Sequence, residues 1–175
     1  MTVFNNGIKV GFGGHEAQIS AFRQKMHEGD AFIASVLDTE VDVDSPKYFL
    51  IDTTSENQET VVVFSIVTSN ETIIEVFEEP TISNNGSSIS LFNQNRASSK
   101  TTNILCYEDP TVSDDGTKIF IQLLGSSPTN QSQIGALAEF NALVLDVNQK
   151  YIIKVTPSNN DTKVNFMLRV FQNCN

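Results

Sequence analysis

The polar and apolar positions of this chain change rhythm once, near residue 30. From Glu16 to Glu28, the residues Ile19, Phe22 and Met26 recur at the spacing of a helix face, and Gly29 follows where a helix C-terminus favours positive φ. The pattern predicts one short helix over 16–28. After Asp30 the period shortens to two. Phe166, Leu168 and Val170 share one face with Val164, while Asn165 and Arg169 point the other way, and Tyr151, Ile153 and Val155 alternate with Ile152 and Lys154. The run Val61-Val-Val-Phe-Ser-Ile-Val is apolar almost throughout and predicts a central strand covered on both faces. Strands are expected over 31–37, 47–52, 59–68, 71–78, 87–93, 102–107, 118–124, 141–145, 150–156 and 163–171. They are separated by turn-forming stretches such as Thr54-Ser-Glu-Asn and Ser158-Asn-Asn-Asp. Strands in succession with no helices between them predict an all-β fold, an antiparallel β-sandwich of jelly-roll-like type. Residues 1–30 read as an N-terminal arm with a short helix, and 31–175 as the sandwich domain.

In the arm, Gly7, Gly11, Gly13 and Gly14 interrupt Val3, Phe4, Ile8, Val10 and Phe12. Glycine weakens any regular element there. Apolar residues at this density still need cover from water, so the arm is expected to lie against its own sheet or against a neighbouring subunit. Those five apolar side chains are therefore candidate partner contacts.

An internal repeat stands out. Phe77-Glu-Glu-Pro-Thr-Ile-Ser-Asn-Asn-Gly-Ser returns thirty residues later as Tyr107-Glu-Asp-Pro-Thr-Val-Ser-Asp-Asp-Gly-Thr, identical or chemically close at all eleven positions. Pro80 or Pro110, having no N–H to give, ends the ladder of the preceding strand. Asn85-Gly86 or Asp115-Gly116 then offers the positive φ that a reversal needs. Two such strand–loop–strand modules suggest pseudo-symmetric halves of a sandwich. Asp109, Asp114 and Asp115 also have the oxygen-ligand character of a calcium loop, although the first copy carries Asn84 and Asn85 where the second carries carboxylates.

Charge narrows the function classes. The net charge is −10, and residues 31–92 carry all of the excess, with eleven acids against the single cation Lys47. An acidic chain is a poor binder of phosphate backbones, so no nucleic-acid partner is expected. The acidic stretch is expected to face solvent and the near-neutral remainder to face a partner. No stretch reaches the roughly 20 apolar residues of a membrane span, and Met1–Asn6 lacks the regions of a signal peptide, so neither membrane nor leader is expected. Ser, Thr and Asn make up 49 of the 175 residues, so sequons such as Asn70 and Asn85 arise by chance.

Catalytic chemistry finds no convergent set. The glycines of Gly11-Phe-Gly-Gly lack the residues that complete a phosphate-cradling motif. His15 and His27 are twelve apart and point in different directions on a helix. Glu78 and Glu79, adjacent on a strand, point to opposite faces. Cys106 reads as a buried free thiol and Cys174 as an exposed terminal one, with no zinc-type spacing. No cofactor and no metal are expected. With no Trp and three Tyr, a sugar-stacking platform is poorly supplied. Arg96 and Lys100, in Asn93-Gln-Asn-Arg-Ala-Ser-Ser-Lys, form the most localised cationic feature, either a solvated loop or a contact for an acidic partner surface.

Four blocks resemble a family of head-decoration (auxiliary capsid) proteins of tailed bacteriophages. His27-Glu-Gly-Asp-Ala-Phe is similar to the family's His-Glu-Gly-x-Ala-Phe at the start of its first strand. Phe92-Asn-Gln-Asn-Arg-Ala-Ser-Ser-Lys-Thr-Thr is similar to Asn-Arg-Asn-x-x-Ser. The module Tyr107–Thr117 is the most characteristic block. Asn148-Gln-Lys-Tyr-Ile-Ile-Lys-Val-Thr resembles Asn-x-x-Tyr-Leu-x-Arg-Val-Thr, with Asp146-Val147 where the family favours a proline. The resemblance implies a non-enzymatic virion protein on the outer capsid surface. Such a protein binds the major capsid protein of an assembled icosahedral head and stabilises the shell, as a homo-oligomer for which a trimer is plausible. The alternatives are a phage collar, fibre-base or tail protein and, in another class, a β-sandwich module that binds glycans or cell surfaces.

Overall fold

The computed structural model of the chain describes residues 9–12, 15–18, 21–56, 58–124, 132–134 and 142–172. Its elements run β1 (Lys9–Phe12), β2 (His15–Gln18), α1 (Ala21–Glu28), β3 (Ala31–Val41), β4 (Lys47–Asp52), β5 (Thr60–Thr68), β6 (Thr72–Glu78), β7 (Thr81–Asn84) and β8 (Ser87–Ile89). They continue β9 (Phe92–Asn93), β10 (Leu105–Glu108), β11 (Thr111–Asp114), β12 (Thr117–Leu124), β13 (Ser132–Ile134), β14 (Ala142–Leu145), β15 (Lys150–Pro157) and β16 (Thr162–Phe171). One sheet has the order β12-β6-β15-β4-β10-β8. The second has the order β13-β5-β16-β3-β9, with β14 also on β5, and all pairing is antiparallel. The two sheets stack as a sandwich, the class that the period-two alternation predicts.

The interior is built from the inward side chains of both sheets. Val164, Phe166, Leu168 and Val170 of β16 are all fully buried, as their spacing requires. Phe49 of one sheet stacks on Phe166 of the other at 4.1 Å between ring centroids and 11° between planes, and Phe64 meets Phe120 edge-on. Rings this close hold the sheets at one separation as well as removing apolar area from water. On β5 the pattern is one-sided. Val62, Phe64 and Ile66 are buried, whereas Val61, Val63, Ser65 and Val67 on the outer face are half-buried, so the strand is not covered on both faces as expected.

Other local expectations are corrected. The helix begins at Ala21 and not at Glu16, because His15–Gln18 forms β2, paired with Lys9–Phe12. His15 thus lies in a strand and only His27 lies in the helix. The helix ends as the sequence predicts: Gly29 has φ +77°, and the Gly29 and Asp30 amides donate to Met26 and Lys25 carbonyls at 3.2 and 2.9 Å. The stretch 87–93 is two strands, β8 in one sheet and β9 in the other. A continuous alternation does not reveal that the chain changes sheets at Ser90-Leu91.

The largest revision concerns the repeat. Its copies are not halves of the sandwich; both belong to one sheet and cross over it. The chain leaves β6, second from one edge, crosses the outer face as β7 and joins the far edge as β8. From β10, second from that far edge, it crosses back as β11 and becomes the near edge, β12. The crossings pair with each other as an antiparallel ribbon, β7 with β11. Beneath the ribbon, Phe77, Ile152, Leu50 and Tyr107 occupy one row across four adjacent strands. Ile82 and Val112 of the ribbon close over that row as a second small core. Ile152 is therefore fully buried although it points away from the main interior.

The two copies match in detail. Glu79 and Asp109 both take positive φ, 57° and 54°, and their amides donate to Lys150 and Tyr48 carbonyls, each at 3.0 Å. Ser83 and Ser113 hydroxyls reach across the ribbon to Thr111 and Thr81 carbonyls. Gly86 and Gly116 both have φ +85°, and each amide is held by Oδ1 of the residue two before it, Asn84 or Asp114, at 2.9 Å. The structure contains a pseudo-twofold exchange of strands within one sheet.

Candidate functional site

The first two blocks of the resemblance, far apart in sequence, meet at one corner of the molecule. Asn93 sits in β9, and its side-chain amide donates to the carbonyls of Gly29 at 2.8 Å and Lys100 at 3.1 Å. Asn95 donates to the His27 carbonyl at 2.9 Å, and the Gln94 amide donates to the Ala31 carbonyl at 2.8 Å. Asn95 thus satisfies a last-turn carbonyl of α1, which no helical N–H can reach, and Asn93 the carbonyl of Gly29 just beyond the helix. They also shape the loop after β9: Asn93 Oδ1 accepts from the Asn95 amide and Asn95 Oδ1 from the Ala97 amide. Close packing continues at Gly29, where a β-carbon would fall 2.3 Å from Ser98 Oγ.

The corner positions the two cations singled out in the sequence, and it treats them differently. Lys100 Nζ donates to Asp30 Oδ1 at 2.7 Å, so its charge is answered within the chain, although the side chain remains half exposed. Arg96 is exposed, with its guanidinium 5.9 Å from the Phe92 ring centroid, and Phe92 is itself 57 % exposed. An exposed guanidinium beside an exposed ring suits a carboxylate-bearing surface with an apolar element next to it. The sequence pointed to Arg96 and Lys100 but missed Phe92; its signal is the four-residue offset from Arg96 within the same block. Beside this loop lies a cleft of about 490 Å³, reaching Phe32, Ile104 and Cys106 at its base and rimmed by Ser98, Ser99 and Thr101. The Cys106 thiol is pushed up to about 12 by burial, so it is protonated at neutral pH and is not a nucleophile there. Cys174 lies outside the described residues.

Of the arm candidates, Val10 and Phe12 lie in β1, while Val3, Phe4 and Ile8 fall outside the described residues.

The calcium reading loses its ligands to other work. Asp109 and Glu108 hold Lys47 Nζ at 2.7 and 3.0 Å, with Asp38 at 3.0 Å on the same ammonium. Asp114 holds the Gly116 amide, and Asp115 meets Lys154 Nζ at 2.7 Å. No cluster of three or more His, Cys, Asp or Glu placed to hold a metal occurs among the described residues. The difference between the copies follows from local charge. Asp115 faces Lys154, whereas Asn85 accepts from Lys150 at 3.1 Å, whose charge is met by Asp52 at 3.7 Å. Each of the two lysines thereby meets one carboxylate.

Lys47, the lone cation of the acidic stretch, was also missed as a focus. Its side chain is 7 % exposed. Burial works against its charge, but hydrogen bonds to Asp109, Glu108 and Asp38 outweigh it and hold the ammonium above its ordinary pKa. Asp38 shows the mirror image: burial would raise its pKa, yet the Glu40 amide and Lys47 leave it lowered. Comparison with protein-family models, curated proteins and solved structures finds no match to this chain.

Proposed function

We propose that this chain is a head-decoration protein of a tailed bacteriophage. It binds the outer surface of an assembled icosahedral shell, contacts the major capsid protein and stabilises the shell without catalysis. One observation carries the reading: the four blocks that resemble the family fall on interlocked parts of the fold. His27–Phe32 and Phe92–Thr102 form the corner that presents Arg96 and Phe92. Tyr107–Thr117 is one arm of the crossed ribbon, and the Asn148–Thr156 block runs as β15 beneath it.

The architecture suits a mechanical task. A sheet cross-braced on its outer face by its own returning chains resists shear between strands, because sliding β6 past β15 would also drag the ribbon. Binding only to the assembled lattice stabilises that lattice by mass action, by an amount set by free concentration over Kd. The test is sedimentation of the purified chain with undecorated heads. Co-sedimentation at hundreds of copies per head, with heads that survive higher temperature, is the expected result. No binding contradicts the reading, and about a dozen copies per particle would assign the chain to a collar or tail.

A further inference from the structure

We infer that β12 is the contact through which two copies of this chain associate, edge to edge about a twofold axis. Unpaired sheet edges are liabilities that proteins blunt with short strands, charges or prolines. Among the described strands the other sandwich edges follow that rule: β8 has three residues, β9 two, β13 and β14 three and four, and the part of β3 beyond Ile33, which β9 leaves uncovered, carries the charges of Asp38 and Glu40. β12 does not. It runs for eight residues, Thr117–Leu124, and among the described strands pairs only with β6.

Its composition is as unguarded as its length. Ile119, Ile121 and Leu123 are 41, 59 and 60 % exposed, while Phe120 and Leu124 turn inward to the core. On the neighbouring strand Ile73, paired with Leu123, is 40 % exposed and extends the apolar surface. The one charge on the strand, Lys118, is tied to Glu75. No acid stands on β12, although the chain as a whole carries −10. Two copies of so acidic a molecule repel each other over most orientations, and β12 offers a contact that brings no carboxylate of its own against its equivalent.

The occupant that fits is a second β12. A bulge between Lys118 and Phe120 leaves Phe120–Leu124 as the regular stretch. An antiparallel pair centred on Gln122 places Ile121 opposite Leu123 of the second copy and Leu123 opposite its Ile121, with Gln122 facing its own equivalent. The exposed apolar pair Ile121 and Leu123 falls on the outer face, and the inward Phe120 and Leu124 stand opposite each other's equivalents, so the pattern is self-complementary, as a twofold contact requires. The two six-stranded sheets then become one continuous sheet. A five-residue edge pair buries less than the roughly 1,200–2,000 Å² of a standard interface, so the dimer forms only at about 10–100 μM in solution. On a lattice, where other contacts fix the copies, the same pairing acts at a far higher effective concentration.

The test is sedimentation velocity on the full chain from about 1 to 300 μM. The wild type is expected to pass from monomer to dimer. Ile121→Lys/Leu123→Lys should remain monomeric throughout with an unchanged far-UV circular dichroism spectrum, and Val144→Lys, on an exposed position of the other sheet, should dimerise as the wild type does. A wild type that is monomeric at every concentration overturns the inference. So does an oligomer, dimeric or trimeric, that persists in the folded double variant. Hydrogen exchange of the wild type gives an independent reading should the double variant misfold. Amides in Phe120–Leu124 that slow at least tenfold between 1 and 300 μM support the contact, and exchange independent of concentration refutes it. None of these measurements contains a shell, so this contact and the proposed function can fail separately.

Discussion

At Gly86 a β-carbon would stand 2.1 Å from the Glu108 carbonyl oxygen, and at Gly116 2.3 Å from that of Glu78. The obstacles are backbone, and both glycines sit at φ +85°. Alanine at either position meets a steric clash together with a strained conformation, and each substitution is expected to cost at least about 2–3 kcal/mol in urea unfolding followed by circular dichroism. Equal costs at the two sites would reflect their equivalence; a cost below about 1 kcal/mol at both would contradict the crossing geometry. Lys47 supports a different measurement. Asp38 is lowered in the folded state, so the stability it contributes is present above the unfolded carboxylate value of about 4 and lost as pH falls through the folded pKa. Lys47 is raised, so its contribution is complete below the unfolded lysine value of about 10.4 and is lost only at higher pH. Stability should therefore be level from about pH 5 to 10 with respect to this cluster. Lys47→Met, which leaves Asp38, Glu108 and Asp109 without the ammonium between them, should cost about 2–3 kcal/mol at pH 7 and less at pH 3, below the unfolded carboxylate value of about 4, where the lowered Asp38 no longer contributes in full. A cost that is the same at both pH values would show that the ammonium is not what holds them.

The ribbon is the element that most distinguishes this fold. Ile82 and Val112 are directly paired across it and share the small core over Leu50 and Ile152. Truncating either to alanine should cost about 1–2 kcal/mol, with a coupling of about 0.5–1 kcal/mol in the double variant, measured by the same unfolding experiment. Additive costs would mean that the two strands do not rest on one another. How far the sequence discloses these elements depends on what their residues answer to. Val164–Val170 was legible because inward burial alone dictates it. The turn chemistry of the repeat was legible too, since Pro80, Gly86, Pro110 and Gly116 set local backbone angles. The exchange of β8 and β12 was not, because identical modules specify identical turns without specifying which strand each end joins. The start of the helix was misread for a related reason. Ile19, Phe22 and Met26 fit a helical period, but nothing in that spacing shows that Glu16, Ala17 and Gln18 are taken by pairing with β1. At the corner, Arg96 and Lys100 stood out as charges. That Asp30 would answer one of them depends on a contact seventy residues apart in sequence.

At the scale of the whole molecule, acidic and neutral segments do not form separate faces. β4, β5 and β6, from the acidic stretch, lie beside β15 and β16 in the middle of both sheets, and Lys118, Lys150 and Lys154 lend their charges to Glu75, Asp52 and Asp115. Glu40, Asp42, Asp44, Glu59, Glu71 and Glu79 remain exposed, so the molecule presents scattered carboxylates. Two places stand apart from them, the apolar strand β12 and the exposed Arg96–Phe92 pair. Under the proposed function, one would meet the neighbouring copy and the other the shell. Replacing Arg96 with Glu should weaken attachment to heads by at least tenfold while leaving solution self-association unchanged, and loss of both together would mean that the substitution acts through the fold. The most direct test of the account is an electron cryomicroscopy reconstruction of undecorated heads with and without the purified chain. The account predicts added density on the outer surface at symmetry-related positions, into which the sandwich fits with its Arg96 corner toward the capsid; heads whose outer surface is identical in the two reconstructions would contradict it.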